Sequence, residues 1–298
     1  MMPLIEAAII DLCGSRSTLF PEKMLIADLG CSYGPNALAL VSTAVKAIIN
    51  HCLQFQQPPP EVCVLLNDLP DNDFNTVVKS LATLRQSNNK LVVVTGVAPG
   101  SFYERLFTSD SLHLVCSSNS LHWLSMAPED LTMNQIPAYD MDEHARRERL
   151  PMVREAYARQ FRKHFILFLE LRAKELVPGG RMVVSLGVID KAKFDSFYVP
   201  VYGPSGEELR EIIQDEGSFS ISDMRVYDAA TDMNSMLFTP SSFVNYLRAI
   251  FEPIIVEHFG EVMDEFVRTP ERRWSLEGSM QDERARNPRA MLAVSLVK

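Results

Sequence analysis

Short apolar runs of strand length alternate with helix-length amphipathic segments through the first two thirds of this chain. The apolar runs are Met24–Asp28, Val62–Asp68, Leu91–Gly96, Leu112–Ser117 and Arg181–Gly187. Helical patterns fill the intervals at Asn36–Cys52, Asp73–Leu84 and Pro151–Leu176. This alternation predicts an α/β fold in which helices cover both faces of a mostly parallel sheet. A ligand should then bind beyond the carboxyl ends of the strands.

The last third of the chain continues with fewer and more widely spaced elements. It predicts a helix at Gly206–Asp215, a strand at Phe219–Tyr227, a helix at Pro240–Phe251 and a final strand at Ala290–Val297. The length of 298 residues suits two domains, or one large α/β domain with a cap.

The charge balance argues against nucleic acid as the main partner. Twenty-nine Lys and Arg residues oppose 38 Asp and Glu residues, which gives a formal net charge of −9. The chain therefore has no overall positive field to attract a phosphate backbone. The short basic stretches Arg146–Arg149 and Glu271–Arg273 contain acidic residues of their own, so we interpret them as solvated helix faces.

Cysteine usage and the N-terminal residues favour the cytosol. The five cysteines are odd in number, widely spaced and without a CxxC pair, so we expect reduced thiols. The first residues, Met1–Glu6, lack the basic and apolar regions of a secretory signal. No stretch approaches the roughly 18 consecutive apolar residues of a membrane-spanning helix, so we expect no membrane contact.

The first strong strand continues into a glycine-rich turn that reads Asp28-Leu29-Gly30-Cys31-Ser32-Tyr33-Gly34-Pro35-Asn36. Glycines at such a turn allow a ligand to approach the backbone at a helix N-terminus. A dinucleotide fingerprint needs an acidic residue about 20 positions later, whereas Asp68 follows Gly34 by 34 positions. Acidic residues at Asp28 and Asp68 instead suit S-adenosylmethionine, which offers an ammonium group and a ribose diol. The alternative interpretation of this motif alone is a structural turn without a ligand.

Five sequence blocks follow one another along the chain at Ala27–Asn36, Leu66–Asn75, Pro99–Phe107, Ser117–Ser125 and Phe194–Pro200. In the same order, they resemble blocks of the plant SABATH family. Members of this family are S-adenosylmethionine-dependent methyltransferases that esterify small carboxylic acids or N-methylate xanthines. The resemblance spans most of the chain and implies a Rossmann-like class I methyltransferase sheet with a reduced α-helical cap. Residues 1–187 would form the cofactor-binding core with a partial cap at about 126–150, and residues 188–298 would supply the remaining cap and complete the sheet.

The resemblance implies cofactor contacts near the strand ends. They are Asp28, Gly30, Cys31 and Asn36 in the first block, Asp68 and Leu69 in the second, Ser101 and Phe102 in the third, and Ser117 in the fourth. Asp68 would accept hydrogen bonds from the ribose diol, while Ser101 and Phe102 would bond and stack the adenine. Taken alone, Phe102 is more typical of core packing, but its place in the block order favours a binding role.

Substrate contacts are implied at Asn119, His122 and Trp123, directly after the fourth strand. Trp123 can donate a hydrogen bond to a carboxylate oxygen while its ring packs against the acceptor. We interpret His122 as a residue that shapes the pocket and donates a hydrogen bond. Asn119 stands where the family often has an aromatic ring, which predicts a larger or more polar pocket. A carboxylic acid is already ionised at about pH 7, so we assign no catalytic acid or base.

Some family members hold a divalent ion, and the matching positions here are Asn134, Asp195 and Phe197, the last through its carbonyl oxygen. Tyr198 stands where the fourth ligand, an asparagine, is expected. This replacement removes one of the oxygen ligands that Mg²⁺ prefers. The resemblance thus implies a Mg²⁺ site with an incomplete ligand set. The alternative interpretation is that Asp195 caps a turn.

Two departures from the family pattern bear on activity. The chain begins after the family's N-terminal substrate-binding segment, and only residues 188–193 connect the fifth strand to the Asp195 block. We therefore expect methylation of a small apolar carboxylic acid, by a cytosolic homodimer, to be weakened in this form. The alternative hypothesis is a non-catalytic relative that binds the cofactor or pairs with a longer paralogue.

Overall fold

The computed structural model describes two compact units. The described residues are 1–14, 22–33, 37–86, 91–134, 136, 143–187, 202–228, 248, 252, 267 and 290–298. One unit comprises Met1–Tyr227 and Met291–Lys298, and the other comprises Asp228–Ala290. Within the second unit, Arg248 and Glu252 form an ion pair at 2.9 Å. The first unit contains the sheet, apart from the strand-end residues Asp228 and Ala290.

Helices and strands alternate along the first unit. The strands are β1 (Lys23–Leu29), β2 (Glu61–Asn67), β3 (Val93–Val97), β4 (Leu112–Ser118), β5 (Leu176–Gly187), β6 (Ser220–Asp228) and β7 (Ala290–Val297). The helices are α1 (Met2–Gly14), α2 (Ala39–Phe55), α3 (Phe74–Gln86), α4 (Glu129–Met133), α5 (Glu143–Glu175) and α6 (Gly206–Glu216).

The described strands form one sheet with the order β3-β2-β1-β4-β5-β7-β6. The first five strands of this order are parallel to their neighbours, and β7 pairs antiparallel with β5. The chain moves outward from β1 to β3 and then returns to the other side of β1, so the strand order reverses between β1 and β4. In open α/β sheets such a reversal opens a crevice beyond the carboxyl ends of the strands.

Two apolar layers cover the two faces of the sheet. One layer packs α1 and α2 against the strands through buried side chains such as Ile5 and Val45. The other contains three phenylalanines of α5, namely Phe161, Phe165 and Phe168. Their rings stack in succession, with centroids 5.5 Å and 5.9 Å apart. Helical spacing of three and four residues places all three rings on the face of α5 that covers the sheet.

The helix α5 begins earlier than its sequence pattern predicts. The apolar spacing predicts a start at about Pro151, whereas the helix begins at Glu143. Polar residues precede the proline, and His144 and Glu148 lie 3.4 Å apart on exposed successive turns. Such pairs support a helix that has no apolar stripe. Apolar spacing alone therefore missed this polar segment.

The strand β5 also begins earlier than predicted. The expected start was Arg181, after a turn at residues 178–180, whereas the strand runs from Leu176. Gly179 has a φ of +78°, and its N–H donates a hydrogen bond to the Lys298 carbonyl oxygen at 3.3 Å. Pairing with β4 shifts register in the same stretch. The C-terminal strand thus extends the sheet past glycines that would otherwise favour a turn.

The predicted α/β architecture, with helices on both faces of a largely parallel sheet, is confirmed. The predicted helix at 240–251 lies outside the described residues apart from Arg248, and the domain boundary at residue 187 stays a prediction. All five cysteines are free thiols. In the described segments, no helix is both long enough and apolar enough to span a membrane.

Replacing Phe161 by alanine should lower the free energy of unfolding by about 3–5 kcal/mol, because the lost ring leaves a cavity between α5 and the sheet. Phe161 is 1% exposed. Urea unfolding followed by circular dichroism measures the loss. Leu167→Ala, on the same helix and 39% exposed, is the matched control and should cost less than about 1 kcal/mol. Equal losses for the two variants would contradict the assigned packing of α5.

Candidate cofactor and acceptor site

The turn after β1 leaves no room for a side chain at Gly30. Its φ of +75° is a left-handed conformation that favours glycine. A Cβ atom at this position would overlap both Oγ and Cβ of Ser120. Ser120 donates a hydrogen bond from its Oγ to the Gly30 carbonyl oxygen at 2.9 Å. The turn after β1 and the segment after β4 therefore pack directly against each other.

Asn67, the last residue of β2, joins this turn to the loop after β3. Its carbonyl oxygen accepts hydrogen bonds from the N–H groups of Gly30 and Cys31, each at 2.9 Å. Its Nδ2 donates to the carbonyl oxygens of Ala98 at 2.7 Å and Gly100 at 2.8 Å. The side chain is fully buried. One buried amide thus fixes the relative positions of three chain segments that follow parallel strands.

Asp68 presents a carboxylate that two backbone N–H groups hold in place. Its Oδ2 accepts from Ser32 at 2.6 Å, and its Oδ1 accepts from Leu69 at 2.8 Å. Burial raises the pKa of Asp68, and these two donors oppose the rise. Each oxygen can still accept a further hydrogen bond. The oriented carboxylate is therefore suited to a ligand with two neighbouring hydroxyl groups, such as a ribose.

Asp28 adds a second acidic group at the same end of the sheet. The residue is 3% exposed near the end of β1. Its burial, with a further contribution from the charge of Asp68, raises the pKa of Asp28 well above its ordinary value. A positively charged ligand group would relieve the repulsion between the two carboxyl groups and favour their ionised forms.

The loop after β3 brings Ser101 and Phe102 close to the segment that carries Asp68. The N–H of Gly100 donates to the Asp68 carbonyl oxygen at 2.9 Å. The Phe102 ring reaches Gly30, where its Cε1 lies 3.8 Å from the position that a Cβ atom would take. The ring also lies edge-on to Phe168, with centroids 6.2 Å apart. An aromatic face, a hydroxyl group and an oriented carboxylate thus come together at the strand ends.

The other predicted cofactor residues have varied environments. Ser117 is fully buried, and its Oγ donates to the Leu29 carbonyl oxygen at 2.9 Å, so its hydroxyl joins β4 to β1. Cys31 is buried, and this burial raises the pKa of its thiol. Leu69 is 51% exposed. Asn36 lies outside the described residues, and the binding roles of all these residues stay predictions.

The three predicted acceptor contacts follow β4 within one short segment. Asn119 is exposed with a φ of +57°, a conformation that asparagine tolerates better than most residues. The Nδ1 atom of His122 is buried and has no hydrogen-bond partner in the described part of the chain. Burial lowers the pKa of His122 to about 4, so its ring is neutral near pH 7. The ring centroids of His122 and Trp123 lie 5.5 Å apart.

Sequence reasoning missed the residues that hold these contacts in place. Tyr103 donates from its hydroxyl group to the Trp123 carbonyl oxygen at 3.1 Å, which ties the cofactor loop to the acceptor segment. Asn67 and Ser120 perform the linking described above. Their positions in the sequence could have identified them, since each of the three is a polar residue within one of the five blocks and close to an expected contact.

Of the predicted magnesium ligands, Asn134 lies within the described residues. Asn134 is exposed, and its Nδ2 donates to the Asp130 carbonyl oxygen at 2.6 Å. Asp195, Phe197 and Tyr198 lie outside the described ranges. Within those ranges, no group of three or more His, Cys, Asp or Glu residues could hold a metal ion. The Mg²⁺ site therefore stays a prediction.

The close approach at Gly30 can be separated from its backbone strain. Gly179 has nearly the same φ, but a Cβ there would meet nothing within 4 Å. Gly179→Ala should therefore cost only the strain, about 1–2 kcal/mol in free energy of unfolding. Gly30→Ala should cost at least about 1 kcal/mol more, since it also displaces the Ser120 hydroxyl. Urea unfolding of both variants tests this difference, and equal losses would contradict the close packing.

The buried imidazole of His122 should make the protein less stable in acid. Its pKa is about 4 in the folded protein and near 6.5 in the unfolded chain. The unfolded state therefore binds more protons between these values, and stability is lost as the pH falls from 6.5 towards 4. His122→Phe should reduce this loss, as measured by urea unfolding across the same pH range.

The control for this titration is Leu167→Ala, because Leu167 is 39% exposed and has no ionisable group. This variant should keep the pH dependence of the wild-type protein. A His122→Phe variant with an unchanged slope of stability against pH would show that His122 is not held neutral by burial.

The crevice offers the groups that an S-adenosylmethionine molecule requires. Asp68 provides two oriented acceptors for a ribose diol, and the buried carboxyl group of Asp28 would ionise more readily beside an ammonium or sulfonium group. Phe102 provides an aromatic face, and the glycine turn allows close approach of the backbone. The residues present at the strand ends therefore fit this cofactor.

Known proteins are similar in sequence to this chain over most of its length. A family model described as SAM dependent carboxyl methyltransferase matches residues 1–186 and 183–298. Probable caffeine synthase 4 of Camellia sinensis is 37% identical, with 88% of this chain and 82% of that protein covered. The 3,7-dimethylxanthine N-methyltransferase CkTbS of Camellia sinensis var. assamica is 36% identical, with 88% and 81% covered.

A solved structure shares the fold. It is described as loganic acid methyltransferase with SAH, and it aligns with 100% of this chain and 91% of its own at a TM-score of 0.79 and 26% identity. Its likeness confirms the methyltransferase sheet predicted from the sequence. With the family match across the whole chain, these findings show that the protein belongs to the SABATH family of S-adenosylmethionine-dependent methyltransferases.

Proposed function

We propose that this protein transfers the methyl group of S-adenosylmethionine to a carboxylate oxygen of a small apolar acid, forming a methyl ester. The observation that carries the proposal is the arrangement around Ser120. This residue bonds to Gly30 in the cofactor turn and precedes His122 and Trp123 in the acceptor segment. A methyl donor in the crevice and an acid beside these two rings would therefore be neighbours.

The cofactor-binding part of the proposal assigns a role to each group at the strand ends. Asp68 accepts hydrogen bonds from the ribose hydroxyl groups, and Asp28 favours the positive charge of the ligand. Ser101 and Phe102 hold the adenine, with Cys31, Leu69, Ser117 and Asn36 as further contacts. Bound S-adenosylmethionine supplies an electrophilic methyl group on a sulfonium.

The acceptor-binding part rests on His122, Trp123 and Asn119. The buried Nδ1 of His122 is available to bond a carboxylate oxygen. The Trp123 indole offers an apolar face for the body of the acid and an N–H donor for its carboxylate. These residues align the acid with the methyl group, so the rate enhancement comes chiefly from proximity and orientation.

The state of His122 favours a carboxylate over a ring N–H as the reacting group. Of the three acceptor residues, only His122 can take up a proton, and its pKa of about 4 makes it a weak base. A carboxylate already carries its negative charge at neutral pH and needs no base. A ring N–H must lose its proton during methylation, which this imidazole would assist poorly.

A ring nitrogen of a xanthine is the second candidate acceptor. The names of two relatives with 36–37% identity, a probable caffeine synthase and a 3,7-dimethylxanthine N-methyltransferase, favour it. Loganic acid, the acid in the name of the structural neighbour, favours the carboxylate.

We also propose that the protein is located in the cytosol, which its free thiols support. We propose that it forms a homodimer, which light scattering would test.

A transfer assay with isotope-labelled S-adenosylmethionine separates the two acceptors. Purified protein is incubated with benzoates, indole acids, jasmonate-like acids and methylxanthines, and each product is then treated with alkali. A methyl ester releases its label as methanol, whereas an N-methyl group keeps it. We expect label in alkali-sensitive product from at least one acid. Label found only in alkali-stable xanthine product would overturn the carboxylate assignment.

Two variants test the cofactor-binding and acceptor-binding residues separately in the same assay. Asp68→Asn places an amide where two N–H groups now donate, so the KM for S-adenosylmethionine should rise by about tenfold or more. His122→Phe keeps an aromatic ring but loses its nitrogens, so the KM for the acid should rise by about tenfold while that for the cofactor stays unchanged. Tight S-adenosylhomocysteine binding with no transfer to any acceptor would favour a non-catalytic relative.

A further inference from the structure

A buried ion pair lies at the C-terminal end of α5. Arg172 and Glu175 are both fully buried, with Arg172 Nε 2.7 Å from Glu175 Oε2. The Nη2 of Arg172 also donates to Glu175 Oε1 at 3.1 Å. Burying two charges costs more than their attraction returns unless further hydrogen bonds satisfy them. The partners of this pair therefore indicate what it does.

The remaining bonds of the pair all go to the loop after β3. Arg172 donates from Nη1 to the Phe102 carbonyl oxygen at 2.9 Å and from Nη2 to the Glu104 carbonyl oxygen at 2.8 Å. Glu175 Oε1 accepts the N–H groups of Leu106 at 2.8 Å and Phe107 at 3.0 Å. The cation meets backbone oxygens, and the anion meets backbone N–H groups and the Nε of Arg105 in the same loop, 3.4 Å from Oε1.

The loop needs this support because residues 98–107 contain neither helix nor strand. Its carbonyl and N–H groups consequently lack the partners that regular structure supplies. The planar guanidinium donates to the two carbonyl oxygens from two nitrogens at a fixed spacing, which the single nitrogen of a lysine ammonium group cannot reproduce. The ion pair therefore sets the backbone path of the loop rather than only neutralising charge.

This backbone path determines where two site residues lie. The Phe102 carbonyl oxygen is bound to Arg172, while its ring reaches Gly30 in the cofactor turn. The next residue, Tyr103, donates to the Trp123 carbonyl oxygen in the acceptor segment. The Arg172 guanidinium also lies 5.4 Å from the centroid of the Phe168 ring, against which Phe102 packs.

We propose that Arg172 and Glu175 are positioning residues for methyl transfer, which hold the loop after β3 so that Phe102 faces the adenine and Tyr103 holds the acceptor segment. The inference rests on the proposed function, because it assumes that the cofactor binds at Phe102. A purely structural pair would affect folding stability without changing cofactor affinity in the folded protein.

The test compares Arg172→Lys with wild-type protein by two measurements. Calorimetric titration gives the Kd for S-adenosylhomocysteine, and hydrogen–deuterium exchange without ligand reports the order of residues 102–107. Arg172→Lys keeps the charge but loses the fork to Phe102 and Glu104. We expect faster exchange in this loop and a Kd raised by about tenfold or more. The KM for S-adenosylmethionine should rise with the Kd.

Arg162→Lys is the matched control. It lies on the same helix, but its ion pair with Asp215 is at the surface. This variant should leave both the loop exchange and the Kd unchanged. Glu175→Gln keeps the side-chain volume and one oxygen acceptor, and it provides the same comparison where Arg172→Lys does not fold.

Two outcomes overturn the inference. One is faster loop exchange with an unchanged Kd, which would make the pair merely structural. The other is unchanged exchange at residues 102–107 in a folded variant, which would show that the pair does not order the loop. Failure of wild-type protein to bind S-adenosylhomocysteine is a different result, since it overturns the proposed function itself.

Discussion

The hydrogen bonds of Asn67 are the interaction on which the rest of the site depends. Parallel strands end side by side, but their following segments diverge unless something holds them together. Asn67 binds the turn after β1 through its carbonyl oxygen and the loop after β3 through its side-chain amide. Asp68 follows it directly, so its carboxylate takes its position from the same support. A cofactor crevice at these strand ends follows from this arrangement.

Other buried polar side chains around the site also link separate chain segments by hydrogen bonds. Ser117 ties β4 to β1, Ser120 ties the acceptor segment to the glycine turn, and Arg172 ties the cofactor loop to α5. Each bond supplies a donor to a backbone carbonyl oxygen. The apolar layers stabilise the sheet, whereas these polar contacts set the geometry of the loops. Loops that bind ligands therefore need no regular structure of their own.

The fold and the site differ in how far sequence predicts them. Apolar runs predicted the strands closely because burial on both faces of a parallel sheet demands apolar residues. The polar first segment of α5, before Pro151, was not predicted as helix because it has no apolar stripe. Asp68 and His122 were found through recognisable blocks, but Arg172 and Glu175 were not. Their spacing of three residues on a helix is ordinary, and only tertiary structure brings them to a loop about 70 residues away in the chain.

The central claim is that S-adenosylmethionine binds where the turn after β1, Asp68 and the loop after β3 meet. A crystal structure of the full chain with S-adenosylhomocysteine tests it most directly. The account predicts both ribose hydroxyl groups on the Asp68 carboxylate and the adenine against Phe102, with the sulfur directed towards His122 and Trp123. A ligand bound elsewhere, or a ribose without contact to Asp68, would contradict it.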